Sequence, residues 1–396
     1  MAALHIRMAR IFCVFAITIC LSLNPAHAAS APTADQLPSI AQLPDPFLLP
    51  DGSRVKTPQQ WADHRQQLKD LILTYEYGHL PPPSPVQAKV VSSKKLDGSD
   101  VTESEIELRM GPGGQIPVKM VVTTPPGGGP FPVILKGDLC WGRVKPEIVS
   151  EVIKRGYMLA EFDRTNLAPD QKNPVGGIRP LYPDYDWSTL AAWAWGFHRC
   201  TDYLLTRSDV DSKRIVITGH SRGGKCCLLA GALDERVALV APNASGCGGA
   251  GCYRFEAPKS EQISDILKNF PYWFQADFGQ FIGKVDRLPF DQHTLKALVA
   301  PRALYSTESQ DDLWANPQGT QITYLAAKEV FKFLNATDKI GLHYRHGKHD
   351  QNEEDFAALL DFADHIFKAS PERHSNSFEQ LPYTDTPKAF DWTAPK

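Results

Sequence analysis

Residues 214–225 constrain the fold of this 396-residue chain more than any other segment. Residues 215–217 are a short β-branched run between polar residues, as expected of a central strand that is buried on both faces. Gly219 and Gly223 flank Ser221 in a G-x-S-x-G pattern, which lets a strained turn carry a hydroxyl clear of a sheet. The segment predicts a strand, a tight turn and a helix with Ser221 as a nucleophile. An ordinary turn with a capping serine is the alternative.

The rest of the chain alternates short apolar runs with helical patterns, which indicates parallel strands joined by crossover helices. The runs are 131–135, 156–162, 214–218, 303–306 and 340–344. Before them, residues 86–92, 105–110 and 115–123 alternate apolar with polar side chains, and Gly- and Pro-rich turns separate the later ones. The predicted fold is a three-layer α/β/α sandwich with a mostly parallel central sheet and an antiparallel N-terminal start.

The two ends of the chain differ from this pattern in composition. Residues 1–28 combine arginines, an apolar run and an Ala-His-Ala site, as in a secretory signal peptide, so the mature protein is expected to be secreted or periplasmic. Residues 29–55 are polar and rich in proline, which predicts an extended arm over the surface. We assign 56–370 to the catalytic domain and 371–396 to a C-terminal tail.

Composition excludes several classes of partner. The formal net charge is −3, and no basic stretch invites nucleic acid. The apolar run near the N terminus is too short to span a bilayer, so no membrane span is expected. The cysteines show no C-x-x-C or His-rich spacing, so the sequence predicts no metal site, and their disulfide pairing cannot be deduced. We expect a monomer.

Polar residues follow the last two predicted strands, where a doubly wound sheet carries its working groups. Residues 308–316 are rich in acids, and residues 345–350 contain two histidines. The order serine, acid, histidine is the order used by hydrolases of this fold. His349 is the preferred base for Ser221 because a loop tip is expected at the glycine before it, and His346 is the alternative. Either residue could instead be a surface histidine with no catalytic role.

Five segments together resemble carbohydrate esterase family 15, the glucuronoyl esterases, over about residues 44–368. They are Gly219-His-Ser-Arg-Gly-Gly-Lys225, Ser245-Gly-Cys-Gly-Gly249, Phe270-Pro-Tyr-Trp-Phe274, Leu288-Pro-Phe-Asp-Gln-His293 and Asp312-Leu-Trp-Ala-Asn-Pro317. The resemblance implies a secreted α/β-hydrolase without metal or cofactor. Its implied substrate is the ester that joins 4-O-methyl-glucuronic acid branches of glucuronoxylan to lignin alcohols.

The resemblance also implies roles for individual residues. It makes Ser221 the nucleophile, His349 the base and Arg222 an oxyanion stabiliser, while Lys225 and Trp314 contact the sugar ring. Chemistry agrees for Lys225, because a helix would bring it onto the serine's face one turn later, where an ammonium can donate to ring hydroxyls. A solvated helix lysine is the alternative.

Two further residues, Trp273 and Glu261, join Trp314 in the predicted substrate pocket. Trp273 or Trp314 offers a flat apolar wall for a pyranose, although either could be a core residue, Trp273 more so. Glu261 stands where the family has a sugar-binding glutamate. All three predictions depend on the resemblance.

The sequence departs from part of the family at two positions. Ala244 stands where many members, fungal ones especially, carry the triad acid as a glutamate, so the resemblance leaves that role to the loop after residues 303–306. Asp312 is the first candidate, with Asp311 or Glu308 behind it. His220 replaces a cysteine that forms a disulfide in fungal relatives, so no such bond can form here.

Two other functions remain open at this stage. An acetyl or feruloyl xylan esterase would use the same triad but would have less need of Lys225. A non-catalytic carbohydrate-binding homologue would keep the pocket and lose turnover, and the missing glutamate at Ala244 supports it. The predicted function is a serine esterase acting on glucuronoyl esters.

Overall fold

A nine-stranded sheet forms the centre of the structure. The computed structural model describes residues 31–96, 98–255, 257–368 and 377–396, so the predicted signal peptide at 1–28 lies outside the described residues. The strands are β1 (Gln87–Lys95), β2 (Thr102–Met110), β3 (Ile116–Thr124), β4 (Phe131–Lys136), β5 (Met158–Phe162), β6 (Val210–His220), β7 (Leu239–Asn243), β8 (Ala303–Ser309) and β9 (Ile340–Arg345).

The sheet is mostly parallel with an antiparallel start, as predicted. Its strand order is β1-β2-β3-β5-β4-β6-β7-β8-β9. The first three pairings in this order are antiparallel, and all pairings from β5–β4 onward are parallel. The carboxyl ends of β6, β7, β8 and β9 therefore share one edge of the sheet, and the predicted site residues lie there.

Helices cover both faces of the sheet, which completes the three-layer sandwich. The helices are α1 (Pro58–Ile72), α2 (Pro146–Lys154), α3 (Thr189–Thr206), α4 (Arg222–Leu233), α5 (Ile263–Asn269), α6 (Gln292–Ala297), α7 (Pro317–Phe333) and α8 (Glu353–Phe367). Side chains of α1, α3, α4, α6 and α7 share one apolar core, and those of α2 and α8 share another.

Successive side chains along a central strand point to opposite faces of the sheet, and therefore into the two different cores. Val133 and Leu135 of β4 face the larger core, while Ile134 between them faces the smaller one. In β6, Ile217 faces the larger core and Val216 the smaller. Each central strand is thus buried on both sides, which is why its sequence is a continuous apolar run.

Polar side chains cap the N-terminal ends of helices α1 and α3. Thr57 accepts a hydrogen bond from the Gln60 amide at the start of α1, with proline at the first helical position. Ser188 caps α3 through the Ala191 amide. The α3 side chains Trp193 and Trp195 are buried in the core.

Strand β7 was not predicted from the sequence. It has only five residues and ends in Pro242-Asn243, and proline normally argues against a central strand because it cannot donate to the ladder. Here Pro242 stands opposite Gly219 at the end of the pairing with β6. The strand matters because Asn243, its last residue, adjoins the predicted nucleophile.

The segments on either side of the predicted catalytic domain contribute to its core. Phe47 and Val55 are fully buried. Residues 33–55 are therefore anchored in the apolar core by these two side chains, which an arm that only crosses the surface would not be. At the other end, Glu379 forms a bridge with Leu342 of β9. The limits 56 and 370 remain predictions. Among the described residues, no helix has the length and apolarity of a membrane span.

Candidate active site

Ser221 lies in the tight turn between β6 and α4. Its backbone adopts φ 55° and ψ −120°, a conformation that costs a residue with a Cβ about 1–3 kcal/mol. The two flanking glycines make room for the turn. A Cβ on Gly219 would collide with the Gly223 carbonyl, and a Cβ on Gly223 would collide with the Asp138 carboxylate. The turn is anchored by the Ser221 amide, which donates to the Asn243 carbonyl at 2.9 Å.

Three predicted residues form a continuous hydrogen-bonded relay. The Ser221 hydroxyl lies 2.9 Å from His349 Nε2, and His349 Nδ1 bonds to the Asp312 carboxylate. Asp312 is buried, while the His349 side chain remains 41% exposed. A carboxylate can only accept at Nδ1, so the proton sits there and Nε2 is left to accept the serine proton. This arrangement can generate a serine nucleophile.

The structure separates Asp312 from the other candidate acids. Asp311 accepts a hydrogen bond from the Gly347 amide at 2.8 Å and lies 3.3 Å from His346 Nδ1, on the exposed side of the loop. Glu308 is buried, where the Thr320 hydroxyl donates to it at 3.2 Å. Burial raises the pKa of Glu308 well above its usual range. Of the three acids, Asp312 is the residue that bonds His349.

Arg345, at the end of β9, fixes the loop that carries His349. Its side chain is buried and paired with Asp355 at 2.8 Å and with Asp350 at 2.5 Å. It also donates to the Asp350 carbonyl at 2.6 Å. Sequence reasoning did not single out Arg345, although a charged residue at the end of an apolar strand is a signal that it satisfies buried groups there.

A cavity of about 270 Å³ opens beside Ser221. The predicted nucleophile, base and sugar-contact residues all line it, together with small residues that follow β7. The lining residues are Ser221, Arg222, Lys225, Ala244, Ser245, Gly246, Glu261, Phe270, Trp273, Trp314, Ala315 and His349. The volume suits a single sugar ring rather than a long polymer.

Lys225 is a buried, fully engaged cation rather than a solvated helix lysine. Its ammonium donates to the Ser245 carbonyl at 2.8 Å and to the Cys247 carbonyl, and it lies 3.2 Å from the Glu261 carboxylate. Both side chains of the Lys225–Glu261 pair are less than 10% exposed. The three donors of the ammonium are therefore committed, and a sugar hydroxyl would bind the pair by sharing these bonds.

Arg222 is positioned by an acid that the sequence did not reveal. Its guanidinium forms a 2.6 Å ion pair with Asp170 and lies 4.6 Å from the ring centre of Trp273. The other Asp170 oxygen accepts from Trp273 Nε1 at 2.9 Å and from the Tyr272 hydroxyl at 3.0 Å. The oxyanion role of Arg222 stays a prediction, for which its backbone amide at the start of helix α4 and its paired side chain are both candidates.

The two tryptophans of the pocket have different exposures. Trp273 is 2% exposed and stacks on Phe270 with ring centres 3.8 Å apart, so it is a core residue that also lines the cavity. Trp314 is 48% exposed, in a short turn after β8. Of the two tryptophans, Trp314 is the one with enough exposed ring surface for the predicted contact with a sugar.

A buried charged network lies beneath the nucleophile turn, and sequence reasoning missed it. The Asp138 carboxylate accepts from the His220 amide at 2.8 Å and bonds Lys136 and, at 2.5 Å, Arg164. Burial alone would raise the pKa of Asp138, but the two cations outweigh it and hold that pKa below the usual value. The signal in the sequence that could have revealed this network is the presence of polar residues directly after the apolar strand β4.

Ala244 directly follows β7 in the cavity wall. Its methyl group offers no acceptor, and the residue is 2% exposed with φ 40°. Within the described residues, no group of His, Cys, Asp and Glu is arranged to hold a metal ion, and no disulfide is formed.

Comparison of the amino-acid sequence with known proteins identifies related esterases. A family model described as "Glucuronyl esterase, fungi" matches residues 111–335. A carbohydrate esterase from an unknown prokaryotic organism is 30% identical over 387 residues, which cover 82% of this chain and 89% of that protein. The 4-O-methyl-glucuronoyl methylesterase of Podospora anserina is 32% identical over 333 residues, 81% of this chain and 66% of that protein.

A solved structure extends the match to the fold. The carbohydrate esterase family 15 glucuronoyl esterase from Caldicellulosiruptor kristjansonii superimposes with a TM-score of 0.78 and 31% identity, covering 91% of this chain and 98% of that chain. The chain belongs to the glucuronoyl esterases of carbohydrate esterase family 15 and is a carboxylic ester hydrolase.

Proposed function

We propose that this protein is an exported serine esterase that hydrolyses 4-O-methyl-glucuronoyl esters through an acyl-enzyme. The observation that carries the proposal is the relay from Ser221 through His349 to Asp312 at the mouth of a cavity that holds a buried Lys225–Glu261 pair. The Podospora relative, a 4-O-methyl-glucuronoyl methylesterase, supports the choice of sugar acid.

The first half-reaction would form the acyl-enzyme. His349 Nε2 takes the proton of Ser221 as its oxygen attacks the ester carbon, and Asp312 stabilises the resulting imidazolium. The Arg222 amide, at the N-terminus of α4, donates to the oxyanion. His349 then returns its proton to the departing alcohol, and the glucuronoyl group remains on Ser221.

The second half-reaction reverses these roles with water. His349 removes a proton from a water molecule that attacks the acyl carbon, and Ser221 leaves with the proton returned by His349. The product is a free glucuronate. Its ring hydroxyls would contact the Lys225–Glu261 pair on one side and the exposed Trp314 on another, while its carboxylate stays beside Ser221.

The natural substrate follows from export and from the size of the cavity. A predicted signal peptide at residues 1–28 would bring the enzyme to extracellular plant polymers. A cavity of about 270 Å³ would hold one uronic acid while the alcohol and the xylan chain stay outside. We therefore assign it the ester between glucuronoxylan side chains and lignin alcohols.

Two substrates test the proposal against its competitors. The enzyme is incubated with benzyl glucuronate and, separately, with acetylated xylan, and the acid released is measured. Hydrolysis of benzyl glucuronate with little release of acetate is the expected result. Preferential release of acetate would replace the proposal with an acetyl xylan esterase, and binding without release of acid would make the protein a non-catalytic homologue.

A further inference from the structure

Two in-plane hydrogen bonds do not by themselves fix the His349 ring. Asp312 holds Nδ1 and Ser221 meets Nε2, but both bonds lie near the plane of the imidazole. The ring can still tilt about the line that joins these partners. The His349 side chain is 41% exposed, so surrounding side chains restrict it on part of its surface only. A neighbour packed against the face of the imidazole would remove this freedom.

His220, the residue before the nucleophile, provides such a neighbour. The centres of the His220 and His349 rings are 4.4 Å apart and the rings are inclined by 49°. Trp141 also contacts His220, with ring centres 6.1 Å apart and the rings inclined by 69°. The His220 amide donates to the buried Asp138 carboxylate at 2.8 Å. His220 is therefore fixed in the backbone, and its ring contacts two other rings.

Thr307 of strand β8 sets the orientation of the His220 ring through the side chain of Asn243. The Asn243 side-chain amide lies 2.8 Å from the Thr307 hydroxyl and 3.3 Å from the Thr307 carbonyl, which can only accept. The NH₂ group of Asn243 must therefore face Thr307, and its oxygen faces His220 Nδ1 at 2.6 Å. It follows that His220 carries its proton on Nδ1.

The His220 ring stays neutral while His349 becomes charged during the reaction. Burial, with a contribution from the charge of His349, lowers the pKa of His220 to about 4. At neutral pH the two rings do not repel each other, and the neutral face of His220 can lie beside the imidazolium that forms on His349. A cation at this position would oppose the proton transfer.

We propose that His220, anchored on Asn243, is a positioning residue that holds the His349 imidazole in line with Ser221. The inference rests on the proposed function, because it assigns a role only if His349 is the base. His220 touches neither the ester nor the sugar in this scheme. Its loss should therefore lower the rate of the chemical step and leave sugar binding unchanged.

The test compares His220→Ala, His220→Leu and His220→Phe in steady-state hydrolysis of benzyl glucuronate. Alanine and leucine lack a flat face, and we expect each to lower kcat by about tenfold to 10²-fold with KM within about twofold of the wild type. Phenylalanine restores the face and should recover most of kcat. His346→Ala, on the same loop but paired with exposed Asp311, is the matched control and should leave both constants unchanged.

Circular dichroism at the assay temperature establishes which variants are folded. If the alanine variant is not folded, the leucine and phenylalanine variants still test the inference, because they keep the volume of the site. A kcat within twofold of the wild type in His220→Leu, a rise in KM in place of a fall in kcat, or no advantage of phenylalanine over leucine would each overturn the inference. Ser221→Ala and His349→Ala are measured in parallel. Turnover surviving in them would overturn the proposed function itself, whereas inactive triad variants beside an active His220→Leu would overturn this inference alone.

Discussion

Replacing Asp312 with asparagine gives the sharpest test of the proposed relay. The Asp312 carboxylate is buried and bonds His349 Nδ1. An amide of the same shape can present its NH₂ group to Nδ1, which would move the imidazole proton to Nε2, where it faces Ser221. His349 could then no longer accept the serine proton, and the imidazolium would lose its counter-charge.

The expected loss can be given a magnitude. In serine proteases the same exchange lowers kcat by about 10⁴, which corresponds to about 5.4 kcal/mol of transition-state stabilisation. We expect a similar loss here because the Asp312 carboxylate is buried. The methyl group of Ala244 cannot accept a hydrogen bond from His349 in its place. KM should change little, because Asp312 is not among the residues that line the cavity.

The assay measures kcat and KM for benzyl glucuronate in Asp312→Asn beside its matched neighbour Asp311→Asn. Asp311 is exposed and bonds the Gly347 amide, so its variant should stay within about twofold of the wild type. Near-full activity in Asp312→Asn would refute the relay. The double variant Ala244→Glu, Asp312→Asn asks whether the family's other acid position still reaches His349, and partial recovery would show that it does.

Three further predictions follow from strain, burial and protonation. Ser221→Gly should abolish turnover yet raise the free energy of unfolding by about 1 kcal/mol, because glycine adopts φ 55° without strain; urea unfolding that shows a loss of stability would contradict this. Lys225→Met should lower the free energy of unfolding by about 3–5 kcal/mol, since it leaves Glu261 buried without its cation, and Lys225→Met, Glu261→Leu should recover part of that loss in the same titration. His293 is fully buried, and burial lowers its pKa to about 4, so the unfolded chain takes up a proton near pH 6.5 that the folded protein refuses. The contribution of His293 to stability should therefore fall as pH drops from 6.5 to 4, by up to about 3 kcal/mol, and a pH dependence of the unfolding midpoint that is the same in the wild type and in His293→Gln would refute the assignment.

The nucleophile turn and the placement of its partners could be predicted from the sequence because both depend on local pattern and sheet topology. Gly219 and Gly223 mark the turn within a few residues of Ser221. The rule that parallel strands end at one edge of the sheet predicted the two loops that carry Asp312 and His349, while the preference for Asp312 over Asp311 and Glu308 came with the family resemblance. That the three side chains lie within hydrogen-bonding distance is seen only in the structure.

The remaining features depend on contacts between distant parts of the chain. Asp170 lies 52 residues from Arg222, and no local pattern marks it as the partner of that arginine. The hydrogen bonds from Lys225 to carbonyls of the loop after β7 were equally hidden, because β7 itself is short and contains a proline. A helix lysine looks solvated in the sequence until the loop that covers it is known.

The contact between the two ends of the described domain also affects how the chain can fold during synthesis. Trp392 Nε1 donates to the Leu43 carbonyl at 2.9 Å, across 349 residues, and its ring packs 6.2 Å from that of Phe47. Phe47 therefore cannot reach its final environment until nearly the whole chain has left the ribosome. Contacts of such sequence separation slow folding and leave apolar surface exposed in the meantime. Removing residues 377–396 should uncover Phe47 and leave a product that aggregates, however well its triad is preserved in sequence.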